Sequence, residues 1–173
     1  TNVTSSYDAF TPAALADVDG LTPFSVTLQR FDTAFATSGP KVGEPRKFDA
    51  EVSYSVGGEE SSAMIRPNEP LEVEGTKLFV SGHGYAPRVT VRDGQGDVVF
   101  SDAVIFLPLD GALTSDGVVK VPSAQPVQLG FEGLFLPTAP PAGGTTSQFP
   151  GLIAPRLDLV AYTGDLGMSS GAP

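Results

Sequence analysis

The longest regular pattern in the chain runs from Phe48 to Val56, Phe-Asp-Ala-Glu-Val-Ser-Tyr-Ser-Val, where every second residue is apolar and those between are polar or small. A period of two sends successive side chains to opposite sides of a strand, so the segment predicts a strand with one face on a core and the other in water, as in an antiparallel sheet. Gly57-Gly58 ends it. Shorter runs recur at Phe24–Phe31, Ala63–Arg66, Lys77–Ser81, Arg88–Asp93, Asp97–Phe100, Val118–Val121, Val127–Phe131 and Arg156–Thr163. Together they predict about eight to ten short strands. Phe48, Val52, Tyr54, Leu78, Val89 and Val91 are the residues expected on the buried sides.

In Asp93-Gly94-Gln95-Gly96-Asp97 two β-branched runs meet across glycines that take positive φ without steric cost, which predicts a hairpin. A calcium loop would instead need alternating carboxylates and a closing Glu. Pro and Gly are scattered so widely that no uninterrupted window of about 12 residues keeps helical spacing. The one helical candidate near the start is Thr11–Ala16, with Thr11 placed to cap it and Pro12 at its first position. Pro137–Pro150, Pro-Thr-Ala-Pro-Pro-Ala-Gly-Gly-Thr-Thr-Ser-Gln-Phe-Pro, is expected to pack no core and to form a mobile loop. Alternation resumes at Leu157, so the last strand should return to the same sheet. The expected fold is all-β: an antiparallel β-sandwich-like domain over residues 24–167 with a short N-terminal helical turn and long loops, preceded by a lead-in at 1–23 and followed by a tail at 168–173.

Composition narrows the chemistry. The chain has 173 residues and no Cys, which excludes thiolate zinc, iron–sulfur ligation and thiol redox chemistry. With one His, only carboxylates remain as metal ligands, and no structural metal is expected. Ten basic residues against twenty acidic ones leave a net charge of −10, which repels phosphate backbones and anionic headgroups. No run approaches the roughly 18 apolar residues of a membrane helix, so the chain is expected to be soluble, with any signal or anchor outside it.

His83, within Gly-His-Gly-Tyr, is either a haem or metal ligand or a hydrogen-bonded turn residue, and a lone imidazole specifies no site by itself. Gly167-Met168-Ser169-Ser170-Gly171 has the spacing of a nucleophile elbow but lies at the chain end, with no His after it. Glu59-Glu60 reads as a solvated hairpin tip, and Glu69, Glu72 and Glu74 as an exposed strand edge. No pair of carboxylates is singled out for glycoside chemistry, and no phosphate-binding loop or basic aromatic stripe is present.

Several runs resemble the large extracytoplasmic region of ResB proteins, which act in system II cytochrome c maturation. Phe24-Ser25-Val26-Thr27-Leu28 with Phe31 resembles the opening strand of that region, and Arg66-Pro67-Asn68-Glu69-Pro70-Leu71 followed by Gly75–Phe79 resembles its Asn-x-Pro-Leu segment and aromatic strand. Gly82-His83-Gly84-Tyr85-Ala86-Pro87 with Thr90–Asp93, Phe106-Leu107-Pro108 and Gly117–Pro122 are similar to the actinobacterial form, and Tyr162–Gly167 to the stretch before the return to the membrane. The resemblance implies flanking membrane helices, an extracytoplasmic location, and work with a CcsA-type membrane partner that joins haem to the two thiols of an apocytochrome Cys-x-x-Cys-His motif. The family's haem-ligating histidines are associated with membrane segments or their borders, so no cofactor is expected in this fragment and no catalysis of its own. Its implied role is to hold the complex together or to present apocytochrome. Asn68, Pro70, Leu71, Gly82, His83, Gly84, Tyr85 and Pro87 are the expected partner contacts. Two other readings are a carbohydrate-binding or adhesion-type β-sandwich, which would need aromatic platforms in a chain without Trp, and a secreted hydrolase, for which no constellation is found.

Overall fold

A computed structural model describes residues 23–168. The helical turn expected at Thr11–Ala16 lies outside the described residues, as does most of the elbow-like pentapeptide. Eleven strands occur among the described residues, and no α-helix: β1 (Phe24–Phe35), β2 (Pro45–Val56), β3 (Glu59–Ile65), β4 (Leu71–Val73), β5 (Thr76–Leu78), β6 (Arg88–Arg92), β7 (Val98–Ala103), β8 (Leu107–Pro108), β9 (Ser115–Val121), β10 (Gln128–Leu136) and β11 (Arg156–Gly164). All pairings with a described register are antiparallel. The described residues divide into two compact units: one takes those up to Asp32 with Asp49–Val80, the other Thr33–Phe48 with those from Ser81 on.

In the first unit the sheet has the order β1-β2-β3, with β4 and β5 as a separate hairpin. β2 and β3 pair from Ala50↔Ile65 to Val56↔Glu59, closed by Gly57 and Gly58 at φ of 58° and 91°. Two consecutive positive φ angles make the turn whose twist matches the strands it joins, and glycine is the residue that allows them. The alternation in β2 puts Ala50 and Val52 in a core with Ile65, against which Val26, Phe31, Leu71 and Leu78 pack. Of the six residues expected inside, Val52 and Val91 are buried, while Phe48, Tyr54, Leu78 and Val89 are half-buried.

In the second unit β11-β10-β9-β8 form a four-stranded sheet and β6-β7 a hairpin. Val91 from the hairpin meets Val119, Val121 and Ala124, and Val89, Val99, Phe100, Leu129 and Phe131 fill in around them, so two antiparallel layers enclose an apolar centre in the sandwich-like manner expected. Asp93 closes the predicted hairpin by accepting the Gln95 and Asp97 N–H groups on one carboxylate oxygen, with Gly96 at φ 89°. Phe106 is fully buried, with its ring against Gly117.

The expectation that Pro137–Pro150 packs no core is corrected. Pro137, Thr138, Ser147, Phe149 and Pro150 are buried. Ser147 Oγ accepts the Thr138 N–H at 3.0 Å and donates to the Phe149 carbonyl at 2.9 Å, while its own N–H donates to Thr114 Oγ1 at 2.8 Å. Small hydroxyl side chains replace the ladder bonds that this segment lacks, which lets an irregular stretch satisfy buried backbone groups. Thr145 and Thr146 stay exposed at the loop's outer bend.

Candidate functional site

The residues expected to touch a partner fall in different units. Asn68 is exposed at the tip of a tight turn in the first unit, where Arg66 and Glu69 exchange backbone hydrogen bonds of 3.1 and 3.0 Å and Asn68 takes φ 67°. Arg66 braces the turn through Asp49 and Glu69, each at 3.1 Å. Pro70 is half-buried, and Leu71 packs on the core of its unit. Both are held by the turn's architecture, and Asn68 alone projects.

The Gly-His-Gly-Tyr segment lies in the second unit. Its imidazole sits among aromatic rings: the His83 ring centre is 4.5 Å from that of Phe48 and 5.7 Å from that of Phe35, and Phe35 meets Phe149 edge-on at 6.0 Å. Burial among these rings holds His83 below its ordinary pKa of 6.5, because the charged form loses contact with water. Gly82 and Gly84 are both exposed, and a Cβ added at Gly84 would stand 3.2 Å from Pro108 and 3.4 Å from the Phe106 carbonyl oxygen. Tyr85 donates its hydroxyl proton to the Pro150 carbonyl at 2.7 Å and sets its ring 5.4 Å from Phe135. Pro87 accepts the Val104 N–H through its carbonyl. His83 is therefore a packed, neutral member of an aromatic cluster and Tyr85 a strap on the loop that ends at Pro150. Among the described residues no group of three or more His, Asp or Glu side chains is placed to hold a metal ion. As a haem site the cluster fits poorly, since Phe35 and Phe48 occupy the surroundings of the imidazole where a porphyrin would have to stand.

A surface that periodicity alone does not single out lies on the outer face of β9, β10 and β11. Because Val119 and Val121 point inward, the register puts three rows on the opposite side: Lys120–Gly130–Tyr162, Val118–Glu132–Val160 and Asp116–Leu134–Asp158. Val118, Val160 and Tyr162 remain 52%, 57% and 43% exposed. Two open grooves of about 340 and 300 Å³ run between β9 and β11 and share Val118 and Glu132. Gly130 leaves the gutter, since it carries no side chain between Lys120 and Tyr162. Tyr162 donates its hydroxyl proton to Glu132 across it. The arrangement offers contact area and negative charge.

The profile of the ResB-like family matches residues 1–173, the whole of the chain. The chain belongs to the ResB-like family. Membership ties it to cytochrome c biogenesis. No curated protein and no solved structure matches it. The family match spans both places where partner contacts were expected, Asn68–Leu71 and Gly82–Pro87, as well as the outer face of β9–β11. In this ResB-like chain the outer face of β9–β11 joins exposed apolar side chains, Val118, Val160 and Tyr162, to open grooves, whereas His83 is half-buried among aromatic rings.

Proposed function

We propose that this ResB-like chain is the extracytoplasmic portion of a membrane-bound cytochrome c biogenesis protein and that it works by protein contact, presenting apocytochrome to a haem-handling membrane partner of the CcsA type. The observation that carries this reading is the outer face of β9–β11. It is a groove-bearing surface where Val118, Val160 and Tyr162 stand exposed among charged side chains, on a sheet backed by a packed core, and exposed apolar side chains rimmed by polar ones favour an interaction site. His83 contributes packing, not ligation, and the chain performs no bond-making step by itself. Haem is cargo for the parent complex.

Two titrations test the proposal. The purified chain should bind a haem-free cytochrome c carrying an intact Cys-x-x-Cys-His motif more tightly than the haem-loaded protein. Haemin should bind no better to the native chain than to His83→Ala. A stoichiometric Soret shift abolished by His83→Ala overturns the contact role in favour of a haem-ligand role.

A further inference from the structure

We propose that the free edge of β11 is a strand-addition site for an extended, cationic polypeptide segment with apolar residues at alternate positions. This rests on the presentation role above and specifies how the contact is made. Among the described residues β11 is the outermost strand of its sheet. Its nine residues pair with β10 from Gln128↔Gly164 to Leu136↔Arg156 without a break in register. An edge of that length exposes about half of its peptide groups along roughly 30 Å.

Sheet edges in stable proteins are blunted by shortness, proline, lysine or a bulge, because an open edge templates further pairing. The opposite edge of this sheet is blunted in that way: β8 is two residues long and ends in Pro108. β11 has no proline, lysine or bulge. Along it Leu159, Val160 and Tyr162 are all exposed by more than a third. A strand laid beside it would hydrogen-bond to the peptide row and rest alternate side chains against Val160 and Tyr162 beside the grooves.

Charge selects the occupant. The outer face carries Asp116, Glu132 and Asp158 against Lys120 and Arg156, and Arg156 is engaged by Asp158 at 2.7 Å, which leaves one acidic charge in excess there. A second copy of the chain would bring another net charge of −10 to this acidic rim, and an anionic lipid surface is repelled likewise. Lysine or arginine side chains on an incoming strand would reach Glu132, which adds attraction and steers the encounter.

The probe is a blocked peptide of alternating Lys and Val as long as β11, titrated into the full chain by fluorescence anisotropy with hydrogen exchange read across β11. The expected result is saturable binding that protects amides within Leu157–Thr163. It should be lost when alternate peptide nitrogens are N-methylated, absent for the Glu-for-Lys peptide, and weakened about tenfold by Val160→Lys, a change at an exposed position that leaves the thermal midpoint unchanged. Glu132→Gln should weaken binding and flatten its salt dependence. Undiminished binding of the N-methylated peptide, or protection confined to other strands, overturns strand addition. A concentration-dependent dimer of the chain alone that Val160→Lys abolishes assigns the edge to a second copy and overturns the stated partner. If haem-free cytochrome binds and Val160→Lys has no effect on it, the edge proposal falls while presentation stands. If the peptide binds β11 but haem-free cytochrome does not bind, presentation falls while the edge site stands.

Discussion

The ring of Phe106 occupies the space a side chain at Gly117 would need: a Cβ placed on Gly117 would lie 2.7 Å from the ring carbons. The two residues meet because Gly117 shares its face of β9 with Val119 and Val121, and Phe106 follows the β7 hairpin inward with no exposed surface. Gly117→Ala should therefore destabilise the second unit by about 1–3 kcal/mol, the usual cost of overpacking a filled core. Gly130→Ala is the matched control. Its added methyl would meet only the flexible end of Leu166 at 3.2 Å, and urea unfolding should show a clearly smaller shift.

Gly133 sits under an even closer neighbour, since a Cβ there would fall 2.0 Å from the Asp158 carbonyl oxygen, which is backbone and cannot swing aside. Gly133→Ala should loosen β11 from β10, read as faster hydrogen exchange for Leu157–Tyr162 than in Gly130→Ala. Equal exchange in the two variants would refute the close approach.

Ser147 ties the loop before β11 to the sheet. Ser147→Ala removes the acceptor for the buried Thr138 N–H, and an unmet buried donor costs about 1–3 kcal/mol. Thr145→Ala and Thr146→Ala, at exposed positions of the same loop, should leave the denaturation midpoint where it is.

His83 gives stability a pH arm with a definite sign. Burial lowers its pKa in the folded chain, so between the folded value and 6.5 the unfolded chain binds more protons and folding weakens as pH falls. The contribution is full above pH 6.5 and declines below it. His83→Phe, which keeps a ring between Phe35 and Phe48, should flatten this part of the profile while retaining the fold, as thermal melts from neutral to mildly acid pH would reveal.

Asn68 holds φ at 67°, a region open to glycine and tolerated by asparagine. Asn68→Gly should be neutral or slightly stabilising, and Asn68→Val should cost about 1 kcal/mol or more. If Asn68 also contacts a partner, Asn68→Gly would weaken binding while the melting temperature holds, a split visible by pairing calorimetry with a binding titration.

β2 and β6 were legible because each keeps a period of two over five or more residues, and β11 because Leu157-Asp158-Leu159 opens an apolar run bounded by Pro155 and Gly164. β4 and β8, of three and two residues, are too short to carry a period, and Pro108 argues against a strand where one in fact sits at a sheet edge. The loop at Pro137–Pro150 was misread as free of the core because composition counts its Pro, Gly and Thr without revealing that Ser147 meets Thr114, which lies 33 positions away. The Gly-His-Gly-Tyr segment stood out, yet Phe35, Phe48 and Phe149 arrive around His83 from distant parts of the sequence. Alternation announces two faces for each strand but not which one is left uncovered, so the outer surface of β9–β11 emerges only from register.

The division of the chain bears on the order in which it assembles. The polypeptide passes between the units at 32/33, 48/49 and 80/81, so the stretch 33–48 is made before the first unit ends but belongs to the second. During synthesis from the N-terminus, the strands up to Val80 have their own core partners in hand, whereas Phe35 and Phe48 must wait for His83 and Phe149. Until then Phe35 and Phe48 have only one another among the rings of the finished cluster, 6.3 Å apart between centres, so this aromatic corner of the second unit is the part that closes last, once residue 149 has been made.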